Sequence, residues 1–352
     1  MAPRVTIQVL IHEWVTGGGL AGSPLPASWA AEGRAIRRSI AGDFASLPYV
    51  RVVMTLDEGQ PDEPGPWTVV RLGPGEEPDR FARLAARADF TAPIAPESGG
   101  VLAERARAIE AAGGRSLGSS PSAIELSGHK LRLGAHLASR GIATPPCRSV
   151  VPSRGLPDEF PYPAVLKPID GAGSLETYFV PDAGGLPDAA RTSAEALLQP
   201  FVPGVPMSAS CLVGADGRAR PIGTGRQRIE VRDGRFTYRG GVLPVAGRCA
   251  DPSARRAVES VPGLRGFVGV DFLFDEASGR VTVLEINPRP TTSYVALSWH
   301  LTPGVLARAW LDLVARVPGE EEEGPDLADL VHSRVPTRFS ADGTIETGGS
   351  RA

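Results

Sequence analysis

Residues 4–11, RVTIQVLI, form an apolar run that stops at the glycine-rich stretch Thr16 to Gly19, the pattern of a buried strand feeding a turn. Runs at 49–55 (YVRVVMT) and 67–71 (WTVVR) have the same β-like character, and they alternate with alanine- and arginine-rich helical segments around 28–40, 79–87 and 97–112. Such alternation predicts a parallel sheet covered by helices. The segment 60–66, QPDEPGP, is a loop by composition.

From about residue 120 the texture changes. A helix with Ser122 as its N-cap and Gly141 at its end is followed by Thr144-Pro145-Pro146. Strand candidates then come at 162–169, 196–202, 208–214, 219–224, 267–274 and 281–287, mostly joined by short turns, which predicts an α+β half with antiparallel pairs. The expected organisation is an α/β unit over 1–119, a central module over 120–200, a C-terminal module over 201–317 and a partly mobile tail over 318–352. There is no internal repeat.

Composition narrows the partners. Lys and Arg number 37 against 40 Asp and Glu, a net charge of −3, which argues against a nucleic-acid-binding or polybasic surface and favours small molecules. Cys147, Cys211 and Cys249 are too few and too far apart for a disulfide framework or a metal cluster. The first apolar run is broken by Gln8, His12 and Glu13, and no run approaches ~18 apolar residues. Neither signal peptide nor membrane span is expected, and the expected compartment is the cytoplasm.

The strongest chemical signal lies in FVGVDFLF (267–274) and VTVLEINPRP (281–290), which read as a hairpin across DEASGR. Alternation puts Gly269 and Asp271 on one face of the first strand and Val268, Val270, Phe272 and Phe274 on the other. In the second strand Glu285 and Asn287 oppose Leu284 and Ile286. Matching the apolar faces with a three-residue Ala277-Ser278-Gly279 loop sets Asp271 directly opposite Glu285. Carboxylates whose Cβ atoms are ~4.5–5.5 Å apart repel unless a cation lies between them, and Asn287 adds a neutral oxygen ~6.6 Å further on. That is a hard-cation site of Mg2+ type, completed by water and phosphate oxygens. The bland alternative is a solvated hairpin face with ordinary charges.

Lys167 stands at the end of the strand YPAVLK, just before the loop Asp170 to Ser174 with Gly171 and Gly173. An ammonium beside backbone N–H donors that glycine leaves accessible suits phosphate. No GK[ST] follows, so this is not a Walker A loop. Lys130 lies within about 40° of the helical stripe Leu126, Leu133 and Leu137, so it points toward protein. Arg226 and Arg228 alternate onto one face of their segment, where they can clamp a transferring phosphoryl group or be solvated charges. His12 and Glu13 sit at a strand end, where parallel sheets place binding sites. The cysteines have no base nearby in sequence, and Ser298 with His300 makes no recognisable triad.

Taken together, GVDF, LEINPRP and TTSY resemble the C-terminal metal-binding signature of the ATP-grasp superfamily. Lys130 in SGHKLRLGAHL and Lys167 are similar in placement to that family's two nucleotide lysines, and LLQPFVPGVP (197–206) resembles its adenine hinge. The resemblance spans roughly residues 1–310 and implies an ATP-grasp fold behind a Rossmann-like pre-ATP-grasp domain. It implies ATP held by Lys130, Lys167, Gly171, Gly173, Ser174, Gln199, Phe201 and Val202, and Mg2+ or Mn2+ held by Asp271, Glu285 and Asn287. Arg289 then joins Arg226 and Arg228 at the reacting phosphoryl group. Pro206 and Met207 stand where such proteins commonly carry a ribose-binding acid.

The implied reaction transfers the γ-phosphoryl group to a carboxylate, after which an amine displaces phosphate. Within the superfamily HEWVTGGGL, APESGG and NPRPTTSY are similar to tyramine–L-glutamate ligases of methanofuran-type cofactor biosynthesis. That similarity implies L-glutamate, activated at its γ-carboxylate, and tyramine or a related amine. Ligases joining other amino acids, of dipeptide or D-alanine type, would share the metal and lysine motifs. A non-catalytic nucleotide-binding module would keep the lysines but tolerate loss of the metal acids. The sequence leaves a homodimer open.

Overall fold

A computed structural model describes residues 6–171, 176–192, 195–245, 252–315, 327–332 and 334–346. The chain opens with β1 (Ile7–Glu13), α1 (Ala27–Ala45), β2 (Val50–Asp57), β3 (Trp67–Leu72), α2 (Glu77–Ala85), β4 (Phe90–Ile94) and α3 (Val101–Ala111). The strands lie in the order β3-β2-β1-β4, and every neighbour is parallel. Side chains of β1 alternate between two apolar layers: Val9 and Ile11 pack with Ile36, Ile40 and Phe44 of α1, whereas Leu10 packs with Val53, Phe81 and Ile109. Burial on both faces is why β1 reads as a continuous apolar run. The expected glycine-rich turn closes as one π-helical turn, Val15–Gly19, in which Gly18 has φ 113° and a Cβ would lie 2.7 Å from that of Leu72.

The next helix differs from expectation. Ser120, not Ser122, caps it, accepting from the Ala123 N–H at 3.3 Å, and Pro121 follows at the first helical position. The single expected helix is two, α4 (Pro121–Gly128) and α5 (Lys130–Ser139), because His129 is extended and caps the second through Nδ1. The break makes Lys130 the first residue of α5, with its N–H on the Ile169 carbonyl at 2.9 Å.

Four short strands, β5 (Arg148–Val150), β6 (Ala164–Lys167), β7 (Tyr178–Val180) and β8 (Ala196–Pro200), make an antiparallel patch in the order β7-β6-β8-β5 with its own apolar cluster. The rest of the sheet is β9 (Val205–Val213), β10 (Ala219–Arg232), β11 (Arg235–Leu243), then α6 (Pro252–Glu259), β12 (Gly266–Phe274) and β13 (Val281–Asn287), in the order β13-β12-β9-β10-β11. The two parts meet at one residue pair, Arg235 opposite Tyr178, so one sheet runs through position 200 where a module boundary was expected. The strand expected at 219–224 continues to Arg232 and turns back through Asp233-Gly234, both at positive φ. An Asp-Gly pair between alternating residues is a strong hairpin signal that the arginine-rich composition obscured.

One face of this sheet packs on α4, α5 and α6; the other packs on α7 (Thr292–His300) and α8 (Val305–Ala315), which also touch α1. One apolar cluster therefore holds Phe44 of the N-terminal unit together with Phe267, Tyr294 and Trp310. Its polar clasp is Asp43, whose carboxylate accepts from the Gly304 N–H at 2.5 Å, the Ala307 N–H at 2.9 Å and the Tyr294 hydroxyl at 2.9 Å. The tail, expected to be partly mobile, contributes α9 (Leu327–His332), β14 (Thr337–Phe339), paired with β11, and β15 (Ile345–Glu346). Its last six residues, like Gly173, Ser174 and Cys249, lie outside the described residues. Among the described residues no helix is long and apolar enough to cross a membrane.

Candidate active site

Asp271 stands opposite Glu285, and Gly269 opposite Asn287. The pairing is reached by a route the sequence did not reveal. Between Phe274 and Asp271 the register slips by one, because Leu284 is bulged, and the loop between Asp275 and Arg280 holds four residues rather than three. The extra loop residue and the bulge offset each other. Had either occurred alone, alternation would have turned Glu285 away from Asp271.

On the same face Asp271 accepts from two amides, Gln227 at 2.8 Å through Oδ1 and Asn287 at 3.1 Å through Oδ2. Lys130 lies 3.3 Å from Glu285 Oε2 and donates to the Gly171 carbonyl. Lys130 and Lys167 are each only 8% exposed. Burial pushes the Lys167 ammonium below its usual value, against the pull of Glu285. Burial also raises Glu285, but Lys130 and Lys167 outweigh it and hold this carboxyl below the usual range. Asp271 goes the other way: burial, then the charge of Glu285, push it well above. The lysines thus favour the ionised form of Glu285, whereas Asp271 beside it resists ionisation, a resistance that a cation between the two would relieve.

Among the described residues there is no group of three or more His, Cys, Asp or Glu placed to hold a metal. What is present is two carboxylates and the Asn287 amide, a donor set that fits Mg2+, which keeps waters and phosphate oxygens in its shell, and fits a softer ion poorly. Asn287 presents its N–H to Asp271 here, so its oxygen reaches a metal only with the amide turned over.

The hinge residues line the end of β8. Gln199 is paired with Val165 in the sheet and 6% exposed, and its carboxamide has no hydrogen bond among the described residues. The Phe201 N–H is already spent on the Pro163 carbonyl at 2.8 Å, which removes it as a donor to a base. Val202 keeps its backbone groups free among the described residues. The Phe201 ring is exposed and meets Phe179 edge-on at 5.4 Å.

The three arginines separate. Arg289, its side chain 13% exposed, is bonded through Nε to Glu97 at 3.0 Å; partial burial disfavours its charge, but Glu97 and then Glu32 more than restore it. Arg226 is exposed, and strand alternation puts it on the face opposite Gln227 and Asp271. Arg228 sits where the β10–β11 register shifts and pairs at 2.6 Å with Glu346 of the tail. The structure thus brings Gln227 to the acidic pair, rather than the arginines on either side. Glu97, Tyr238 and Glu32 also went unassigned by the sequence. The Tyr238 hydroxyl lies 3.3 Å from Thr292 Oγ1, and burial pushes it upward. Glu97 lies in the APESGG segment that carried part of the resemblance, the one advance signal for it. His12, buried between Thr55 at 2.7 Å and Glu77 at 2.9 Å, belongs to a network under α2.

Two family models match the chain, an ATP-grasp domain over residues 127–293 and a pre ATP-grasp 3 domain over residues 50–124, together well over half of its length. Tyramine–L-glutamate ligase of Methanocaldococcus fervens is 29% identical over 212 residues, 59% of this chain and 61% of that protein; the match thus spans less than two thirds of the relative. Among solved structures, an ATP-grasp superfamily protein from Archaeoglobus fulgidus is similar with a TM-score of 0.66 at 24% identity, over 88% of this chain and 89% of its own. L-amino acid ligase from Bacillus licheniformis is similar with a TM-score of 0.59 at 16% identity, over 87% and 74%. Both structural likenesses are of fold.

Proposed function

We propose, from the premise that this chain belongs to the ATP-grasp superfamily, that it is an ADP-forming ligase joining a carboxylate to an amine. The observation that carries the reading is the convergence of the buried Lys130 and Lys167 with the half-buried Asp271 and Glu285, on the sheet that also carries the Gln199 carboxamide, which has no hydrogen bond among the described residues. The substrates proposed are L-glutamate, through its γ-carboxylate, and tyramine or a related amine, by analogy with the relative above. Methanofuran-type cofactor synthesis is the setting that analogy supports.

Bound with Mg2+ or Mn2+ at Asp271, Glu285 and Asn287, ATP supplies the phosphoryl group and the cation neutralises its charge. The chain's own part is positioning and electrostatics. Lys167 and Lys130 hold phosphate oxygens, and their burial keeps those contacts out of competition with water. Gln199 and Val202 meet the base. Arg289, fixed by Glu97, presents a permanent positive charge where the acyl phosphate forms. No protein nucleophile is needed.

The test is ADP release with L-glutamate and tyramine, with the amide identified by mass and a hydroxamate trapped when hydroxylamine replaces the amine. Glu285→Ala should lower turnover by at least about a hundredfold, since several kcal/mol of charge stabilisation go with it. Near-normal ADP formation by folded Glu285→Ala would remove the metal assignment. ADP release with other amino-acid pairs alone would move the chain toward the amino acid ligases.

A further inference from the structure

Helix α1 packs on α7: Ser39 Oγ meets Ser298 Oγ at 2.6 Å, and Ala35 and Val295 flank Gly343, where a Cβ would lie 2.7 Å from that of Ala35 and 3.5 Å from a Val295 methyl. From Ala35 to Ser39 and from Val295 to Ser298 the numbers rise together, so the N-terminal ends of the two helices lie on the same side. At 100° per residue Glu32 lies within about 20° of both Ser39 and Asp43, on the stripe of α1 that faces α7. Seven residues back from Ser39 is about 10.5 Å, and six back from Ser298 is about 9 Å, which brings Glu32 level with Thr292, the partner of Tyr238. Glu32 therefore borders the region of Asp271, Arg289 and Tyr238, which would form the chamber for the reacting substrates. Its charge is felt by Arg289 and by Tyr238, and its own carboxyl is pushed up by burial, with Arg289 opposing.

Every other acid around this chamber is engaged. Glu13 takes the N–H groups of Val15 and Thr16 at 3.0 and 2.8 Å, Glu97 takes Arg289, Glu285 takes Lys130, and Asp271 takes two amides. Glu32, half-buried, has neither hydrogen bond nor ion pair among the described residues. A partly desolvated carboxylate with no partner stabilises nothing in the free protein, so its use lies with a ligand. The reaction proposed above brings two cationic groups here, the ammonium of the acceptor amine and the α-ammonium of the amino-acid donor.

We propose that Glu32 is the ammonium-binding residue of the ligation chamber, selecting a charged amino group in a substrate; this rests on the ligase reading. Glu32→Gln keeps the shape and deletes the charge. In the amide-forming assay the variant should raise KM for tyramine at least tenfold, with KM for ATP unchanged, if the acceptor's ammonium is held. In the hydroxamate assay the nucleophile, hydroxylamine, is neutral, so a tenfold rise in KM for glutamate there assigns Glu32 to the donor's ammonium instead. Glu32→Asp should fall between the wild type and Glu32→Gln in whichever arm responds. Unchanged KM values in both arms, in a variant with wild-type melting temperature, would overturn the proposal. Calorimetric titration of tyramine and of glutamate into the Mg·ADP complex of each protein reads the same contact without turnover. Equal binding by wild type and Glu32→Gln there overturns it, even if the wild type proves to make no amide and the ligase reading falls.

Discussion

Asp271 and Glu285 were legible because alternation ties each to a face, and a hairpin must match its apolar faces. The same parity argument is blind to a bulge and a longer loop that cancel, so it reached the right pair by the wrong path. Lys130 was half legible: its heading toward protein followed from helical phase, but the break at His129 that puts it over Glu285 did not. Glu32 could not be read at all, and Glu97 only as part of the APESGG segment, since Arg289 and Glu97 are 192 positions apart and only the packing of two units brings them together. Lys167 gives a prediction at this scale. Burial of its ammonium costs the free protein, so Lys167→Met, which keeps most of the stem, should leave the ligand-free melting temperature unchanged or higher. ATP affinity by calorimetry should fall at least about tenfold, or 1.4 kcal/mol. Unchanged affinity would make Lys167 a structural residue.

Among the elements, β1–β3, α1–α3 and the strands β6, β8, β9, β12 and β13 were foreseen, while β4, β5, β7, most of the β10–β11 hairpin and the helices α6, α7 and α8 were not. Short strands carry too few alternations to register. The arms of β10–β11 are studded with arginine on the side that meets solvent. Helix α8 shows what sequence cannot supply, an N-terminus capped from elsewhere. Gly304 and Ala307 occupy its cap and third positions, and Asp43 of α1 takes both N–H groups as a local Asp or Ser ordinarily would. Asp43→Ala would leave those two N–H groups and the Tyr294 hydroxyl buried without acceptors. The expected loss is about 3–5 kcal/mol, a fall of roughly 6–15 °C in melting temperature, with Asp43→Asn milder. A thermal melt showing less than about 2 °C of change would mean water replaces the carboxylate.

At the scale of the molecule, the N-terminal unit and the β9–β13 sheet share one apolar core, whereas the β5–β8 patch has a core of its own. Arg235 opposite Tyr178, two flanking backbone bonds and the hold of Lys130 on Ile169 and Gly171 are its main links to the rest. Lys167 and the hinge ride on that patch, and Asp271 and Glu285 do not. Nucleotide with Mg2+ should therefore fasten the two together. Hydrogen exchange should slow over residues 148–200 when Mg·ADP binds and change little in α1, α7 and α8. Uniform slowing across the chain would show instead that the whole molecule tightens.

That division of cores has a consequence for descent with modification. The residues proposed to hold phosphate and metal sit on the loosely joined patch, at the start of α5 and on the β12–β13 hairpin, whereas Glu32 and the partner of Tyr238, Thr292, are set by how α1 and α7 lie against each other. Replacements along the α1–α7 seam can re-aim the chamber toward a different amino compound without disturbing a single residue proposed to meet the nucleotide. A lineage can then keep one energy source and change its customers, and the divergence that accumulates among such relatives should concentrate in α1 and the start of α7 rather than at the positions of Lys130, Lys167, Asp271 and Glu285.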